Sequence, residues 1–179
     1  LAQTQLFKLP IGAEALREIA QGLGADVPAC VVQEAALMEG IGERLSPVPA
    51  LPAIPVLLVN PGVALPTPSV YRAFRETGVI EPGPRPKPTG PWADVAALSA
   101  ALAQTRNDLE APAIALCPPI AKVLSALDAA GALFSRMSGS GATCFGLFAD
   151  PAAATVATTR LKEDQPGWWV LSTTLRGAA

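Results

Sequence analysis

Apolar positions in this chain fall into short blocks separated by glycine and proline, and the spacing within each block predicts its element. Leu16, Ile19, Ala20 and Leu23 recur at the three, four and seven spacing of one helix face. Residues 12–23 therefore read as an amphipathic helix, with Pro10 just before it and Gly24 as a left-handed stop. Residues 29–32 are a short apolar run and read as a strand. Residues 35–38 and 44–48 flank Gly40-Ile41-Gly42 and read as strand, turn, strand. Pro47, Pro49, Pro52 and Pro55 then make a stiff crossing that denies the backbone donors a helix or central strand needs. A domain boundary is expected there, dividing residues 1–48 from residues 49–179.

The second part opens on Val56-Leu57-Leu58-Val59, a buried strand by composition. A loop over residues 60–68 leads to Ser69, placed to cap a helix through Arg75. Residues 81–91 form a proline-rich excursion carrying Arg85 and Lys87. Residues 92–103 read as a helix, and Asn107-Asp108-Leu109-Glu110 as a polar junction. Residues 112–116 open a helix that residues 119–130 continue, with Ile120, Val123, Leu124 and Leu127 on one face and Gly131 as its end. Two strands, residues 132–137 and 143–148, flank a Gly-Ser-Gly turn. Pro151 opens a helix to Asp164, and residues 168–175 make the last strand. Strand, helices, hairpin, helix, strand is the split βαβ order of a ferredoxin-like domain, an α+β fold with helices on one face of an antiparallel sheet.

Composition narrows the function classes. The 179 residues are half hydrophobic, only 16% charged, and carry a formal net charge of −2, which does not suit an electrostatic nucleic-acid binder. No apolar run has the length of a membrane span. The three cysteines, Cys30, Cys117 and Cys144, have no C-x-x-C spacing and are expected as reduced thiols, buried as small hydrophobes, in a cytoplasmic protein. The sequence contains no histidine, so proton transfer within it falls to Asp, Glu, Lys, Tyr or Cys. The opening residues 1–10 show no cap or turn logic, and the chain is expected to begin within a domain.

Several residues are candidates for chemistry. Asp26 stands between Gly24 and Pro28, which fix the backbone around it. It reads either as a general base or as a turn aspartate bonded to its own backbone. The stretch Ser138-Gly139-Ser140-Gly141 is not a P-loop, because it lacks the Gly-Lys-Ser/Thr ending and runs from strand to strand. An anion-binding nest or a plain turn remains. Tyr71, the only tyrosine, follows the rigid Pro66-Thr67-Pro68 and reads either as a platform for a base or as a core aromatic. Arg136 fits a phosphate fork or a solvated or ion-paired strand position. Asn107, Asp108 and Glu110 read as helix caps in preference to a metal site.

Taken together, Leu23-Gly24-Ala25-Asp26-Val27-Pro28, Glu39-Gly40-Ile41-Gly42-Glu43, Asn60-Pro61-Gly62 with Pro66-Thr67-Pro68, Asn107-Asp108-Leu109-Glu110 and the run from Ser135 to Phe145 resemble one family. It is that of the 4-diphosphocytidyl-2-C-methyl-D-erythritol kinases, within the GHMP kinase superfamily. The resemblance implies an ATP- and Mg2+-dependent small-molecule kinase of the non-mevalonate isoprenoid route, acting on the 2-hydroxyl of a cytidine-diphosphate-linked methylerythritol. It implies Asp26 as the catalytic base, Thr67, Pro68 and Tyr71 as substrate-binding residues, and Ser138, Gly139, Ser140 and Gly141 beside the phosphates. It also implies that the ATP-binding loop and a catalytic lysine precede Leu1. Residues 1–48 would then be the end of an N-terminal α/β domain, and residues 49–179 the C-terminal domain, with the chain alone inactive. Two alternatives stay open: another small-molecule GHMP kinase, or a non-catalytic ferredoxin-like binding module.

Overall fold

The computed structural model describes residues 11–24, 27–32, 35–40, 42, 44–78, 86–88 and 90–175, and contacts divide the chain between Leu51 and Pro52. In the first unit, α1 spans Ala13–Leu23. Ala20 on its apolar face is buried, whereas Ile19 and Leu23 are exposed. Gly24 ends α1 at φ 160° and ψ 158°, an extended conformation and not the left-handed stop expected; its N–H still reaches the carbonyl of Ala20. The run expected as a strand at residues 29–32 is helical instead, within α2, Val27–Val32. A short apolar run does not distinguish the two states, and Pro28 is tolerated in a first helical turn, where its missing N–H has no partner to lose. Cys30 on α2 is exposed, not buried as expected. The hairpin appears as read: β1, Ala36–Glu39, pairs antiparallel with β2, Arg44–Pro47. Gly40 and Gly42 both take positive φ in its turn.

The second unit, Pro52–Arg176, is built on β3, Ile54–Asn60. Next comes α3, Thr67–Glu76, which starts two residues before the Ser69 cap that was expected. Pro66 precedes α3 and Pro68 sits in its first turn, so the rigid Pro-Thr-Pro segment starts the helix. The following helix, α4, begins at Val95 and not at Trp92, because the side chain of Asp94 accepts from the Ala97 N–H at 2.8 Å and sets the start. α4 spans Val95–Ala103. The single long helix expected next is two, α5, Glu110–Leu116, and α6, Pro119–Ala129, meeting at 118°. Cys117 leaves the helix at φ −140°, as expected of a residue before proline. β4, Phe134–Met137, β5, Cys144–Leu147, α7, Pro151–Asp164, and β6, Trp169–Leu175, complete the unit. Among the described residues no single helix is long and apolar enough to cross a membrane.

The larger sheet is antiparallel throughout, in the order β4-β5-β3-β6, which is the ferredoxin-like arrangement. Its registers align Met137, Cys144, Val59 and Val170 in one row across all four strands. That row belongs to the main core, with Ile120, Val123 and Leu127 of α6 and Ala154, Ala157 and Leu161 of α7. Gly146 lies under α6, where a Cβ would come within 3.0 Å of Leu127 Cδ2. The opposite face carries Phe134, Arg136 and Phe145, and there Arg136 reaches Thr105, just beyond α4. Of the excursion over residues 81–91, Pro82, Pro84 and Arg85 lie outside the described residues.

Candidate phosphate turn and aromatic cleft

The turn between β4 and β5 is held by side chains from three other parts of the second unit. Ser138 N–H donates to the carbonyl of Thr143 at 2.8 Å, and Gly141 N–H donates to that of Ser138 at 3.0 Å, closing the turn. Gly139 and Gly141 stand at φ +56° and +87°, which favour glycine. From the end of β3, Asn60 Nδ2 donates to Thr143 Oγ1 at 2.9 Å, while its own Oδ1 accepts the Gly62 N–H. From the first turn of α3, Thr67 and Ser140 share a hydroxyl–hydroxyl bond of 2.8 Å. From the junction before α5, Asn107 Nδ2 donates to the carbonyls of Met137 and Gly139, and Glu110 Oε2 accepts the Met137 N–H at 2.9 Å. Among the described residues no hydrogen bond is seen to the amides of Gly139 or Ser140, and Ala142 is buried in the core. Unpaired amides in a glycine turn are the donors an anion takes.

Beside this turn lies a cleft of about 500 Å³ lined by Tyr71 and Phe74 of α3, Arg106, Asn107, Asp108 and Leu109, Met137, Ser138 and Gly139, and Phe145. The cleft thus brings together an aromatic wall, a charged corner and one side of the glycine turn. In the charged corner Arg106 Nε meets Asp108 Oδ1 at 2.6 Å. Tyr71 is half-exposed, so it is not the core aromatic that one reading allowed.

The candidate residues are only partly gathered. Tyr71, Ser138 and Gly139 line the cleft. Thr67 and Ser140 are joined to each other but stand outside its lining, as do Pro68 and Gly141. Asp26 lies outside the described residues. The capping expected of the Asn107 group is only part of its role: Asn107 Oδ1 accepts the Leu109 N–H at 3.0 Å at the start of α5, while its Nδ2 and the Glu110 carboxylate grip the β4 end of the turn. Among the described residues no group of three or more His, Cys, Asp or Glu is arranged to hold a metal. Arg136 is engaged by Thr105, through Nη1 to the hydroxyl at 2.6 Å and Nη2 to the carbonyl at 2.8 Å. Its guanidinium also lies 4.6 Å over the Phe134 ring, which removes it as a phosphate fork. Burial pushes its pKa down from the usual value, and the Glu110 carboxylate partly opposes that.

Asn60, Phe74, Arg106 and Thr143 were not singled out as site residues from the sequence. Asn60 and Thr143 lie in stretches that carry the family resemblance, but neither has a role read from the sequence; each is a polar residue at the end of an apolar strand, beside the turn. Phe74 stands one helical turn beyond Tyr71, a spacing that places both on one side of α3.

The chain is similar to known proteins in sequence and in fold. Residues 89–166 match the family described as GHMP kinases C terminal. A 4-diphosphocytidyl-2-C-methyl-D-erythritol kinase of Paracoccus denitrificans is 51% identical over 158 residues, covering 88% of this chain and 57% of that protein. One of the same name from a Chelativorans species is 42% identical over 177 residues, covering 98% of this chain and 58% of that protein. The crystal structure of a 4-(cytidine 5'-diphospho)-2C-methyl-D-erythritol kinase superposes with a TM-score of 0.73 at 35% identity, covering 99% of this chain and 62% of that one. Mevalonate kinase of L. major shares the fold, with a TM-score of 0.64 at 14% identity. The chain spans less than two thirds of the length of these relatives. Its residues 89–166 are similar to a GHMP kinase C-terminal domain, and its sequence relatives over most of its length are named 4-diphosphocytidyl-2-C-methyl-D-erythritol kinase.

Proposed function

We propose that this chain is the substrate-facing part of a kinase that transfers a phosphoryl group from ATP to the 2-hydroxyl of 4-diphosphocytidyl-2-C-methyl-D-erythritol. The observation that carries the reading is one cleft walled by the Tyr71 ring and by Ser138 and Gly139 of the glycine turn. A ring face suits a pyrimidine base, and a turn with unpaired amides suits the diphosphate attached to it. The names of the sequence relatives, 42–51% identical, supply the substrate.

Asp26 takes the role of base in this reading. Its carboxylate accepts the proton of the attacking hydroxyl as the new O–P bond forms and ADP leaves. ATP supplies the phosphoryl group. The turn fits a phosphate, and among the described residues no group of three or more His, Cys, Asp or Glu is arranged to hold a magnesium ion.

Binding of cytidine 5'-diphosphate to the 179-residue chain, measured by calorimetry, tests the substrate assignment. Tyr71→Ala is expected to lose that binding while keeping the parent's melting temperature, since the ring is half-exposed. Binding that survives the substitution would refute the base platform. Where turnover is measured, Asp26→Asn should abolish it with little change in stability. Phosphorylation of plain polyols in preference to the cytidine-linked substrate would point to a different GHMP kinase.

A further inference from the structure

The carboxamide of Asn107 ties the glycine turn to the start of α5. Its Nδ2 carries two hydrogens, and each has its own acceptor: the carbonyl of Met137 at 3.0 Å and that of Gly139 at 2.8 Å. Its Oδ1 accepts the Leu109 N–H at 3.0 Å. Three partners fix the plane of the carboxamide. The two carbonyls it grips flank Ser138, so the path of the chain across Ser138 and Gly139 is set from outside the turn. β4 pairs only with β5 among the described residues, and Met137 ends it. The Met137 N–H and carbonyl are taken by Glu110 and Asn107 in place of a further strand.

We propose that Asn107 is a positioning residue for the phosphate turn. By holding the carbonyls on either side of Ser138, it fixes where the unpaired amides of Gly139 and Ser140 lie for a diphosphate-bearing ligand. The ligand part of this inference rests on the function proposed above; the positioning part rests on the geometry alone.

Asn107→Asp separates this role from helix capping. Aspartate keeps the shape and the acceptor for Leu109, and it caps as well as asparagine. It replaces the two donors with a carboxylate oxygen that faces two carbonyls. Asn107→Ala, which adds no charge, is measured beside it in case the aspartate variant does not fold. Proton–nitrogen NMR spectra and amide exchange of the 179-residue chain provide the first reading. The amides from Gly139 to Ala142 are expected to shift and exchange faster in both variants, while those of Leu57, Val59 and Gly146 stay in place.

Titration with cytidine 5'-diphosphate and with cytidine provides the second. Affinity for the diphosphate should fall about tenfold, the effect of leaving backbone acceptors unpaired, while affinity for cytidine holds. Turn amides that do not move would overturn the positioning role. Affinities for both ligands falling together would overturn the selective effect on phosphate. If the unsubstituted chain binds neither ligand, the functional reading fails, and the amide exchange alone decides whether Asn107 positions the turn.

Discussion

Cys144 and Gly141 show what single positions in the turn region are for. The Cys144 thiol lies in the core row of the sheet, its Sγ 3.8 Å from the Ala142 carbonyl. Burial first, then the negative charges of Glu110 and Cys117, push its pKa up from 9.0 to about 12. The unfolded chain loses this proton from about pH 9, and the folded chain holds it up to about pH 12. The folded state therefore binds more protons across that window, and stability falls as pH rises through it; below pH 9 the contribution is fully present. Denaturation midpoints measured from pH 8 to 10.5 should drop more steeply for the unsubstituted chain than for Cys144→Ala; equal slopes would refute the shift. Gly141 is constrained by space as well as by φ. A Cβ there would stand 2.6 Å from Met137 Sδ and 3.3 Å from Ile120 Cδ1. Gly141→Ala is expected to cost about 2–3 kcal/mol in urea unfolding, through backbone strain and crowding together.

At the scale of elements, the contact of α6 with the sheet depends on a missing side chain. Gly146 has Leu127 Cδ2, Ala132 Cβ and Phe148 Cε2 within 3.4 Å of where a Cβ would be. Gly146→Ala should cost about 1–3 kcal/mol by overpacking, and Leu127→Ala about 2–5 kcal/mol by leaving a cavity. The double substitution should cost less than the sum, because the added methyl enters the vacated space. Additive losses would mean that the two positions do not share that space. The sequence announced most of these elements. The apolar run of β3, the Asp150-Pro151 start of α7 and the glycine hairpin carry signals that lie within a few residues of the structure they specify. The helix over residues 29–32 was not legible, since a four-residue apolar run has no period to read. Neither was the role of Asn107. Its carboxamide looks like a cap from its neighbours, and the carbonyls it holds are 30 and 32 positions away. Tyr71 could be proposed as a platform from its rigid approach, but the wall it forms with Phe74 and Gly139 exists only once α3 and β4 are brought together.

For the molecule as a whole, the division at Leu51 and Pro52 leaves Pro52–Arg176 with its own four-stranded sheet and its own core. Expressed alone, residues 52–176 should give a dispersed proton–nitrogen spectrum and a single cooperative thermal transition. A collapsed spectrum would mean that the first unit is needed for folding. The strand order also bears on how the protein is made. β3 is central, but its neighbours β5 and β6 are the last two strands among the described residues. A polypeptide leaving the ribosome presents Ile54–Asn60 early, before either flanking strand has been synthesised. Until Cys144–Leu147 and then Trp169–Leu175 emerge, both edges of the most apolar strand in the sheet are open templates for other chains. The bond from Asn60 to Thr143 spans 83 positions and closes late for the same reason. A nascent chain stalled before Trp169 is thus expected to aggregate more readily than the finished one, because one edge of Ile54–Asn60 still lacks its partner strand.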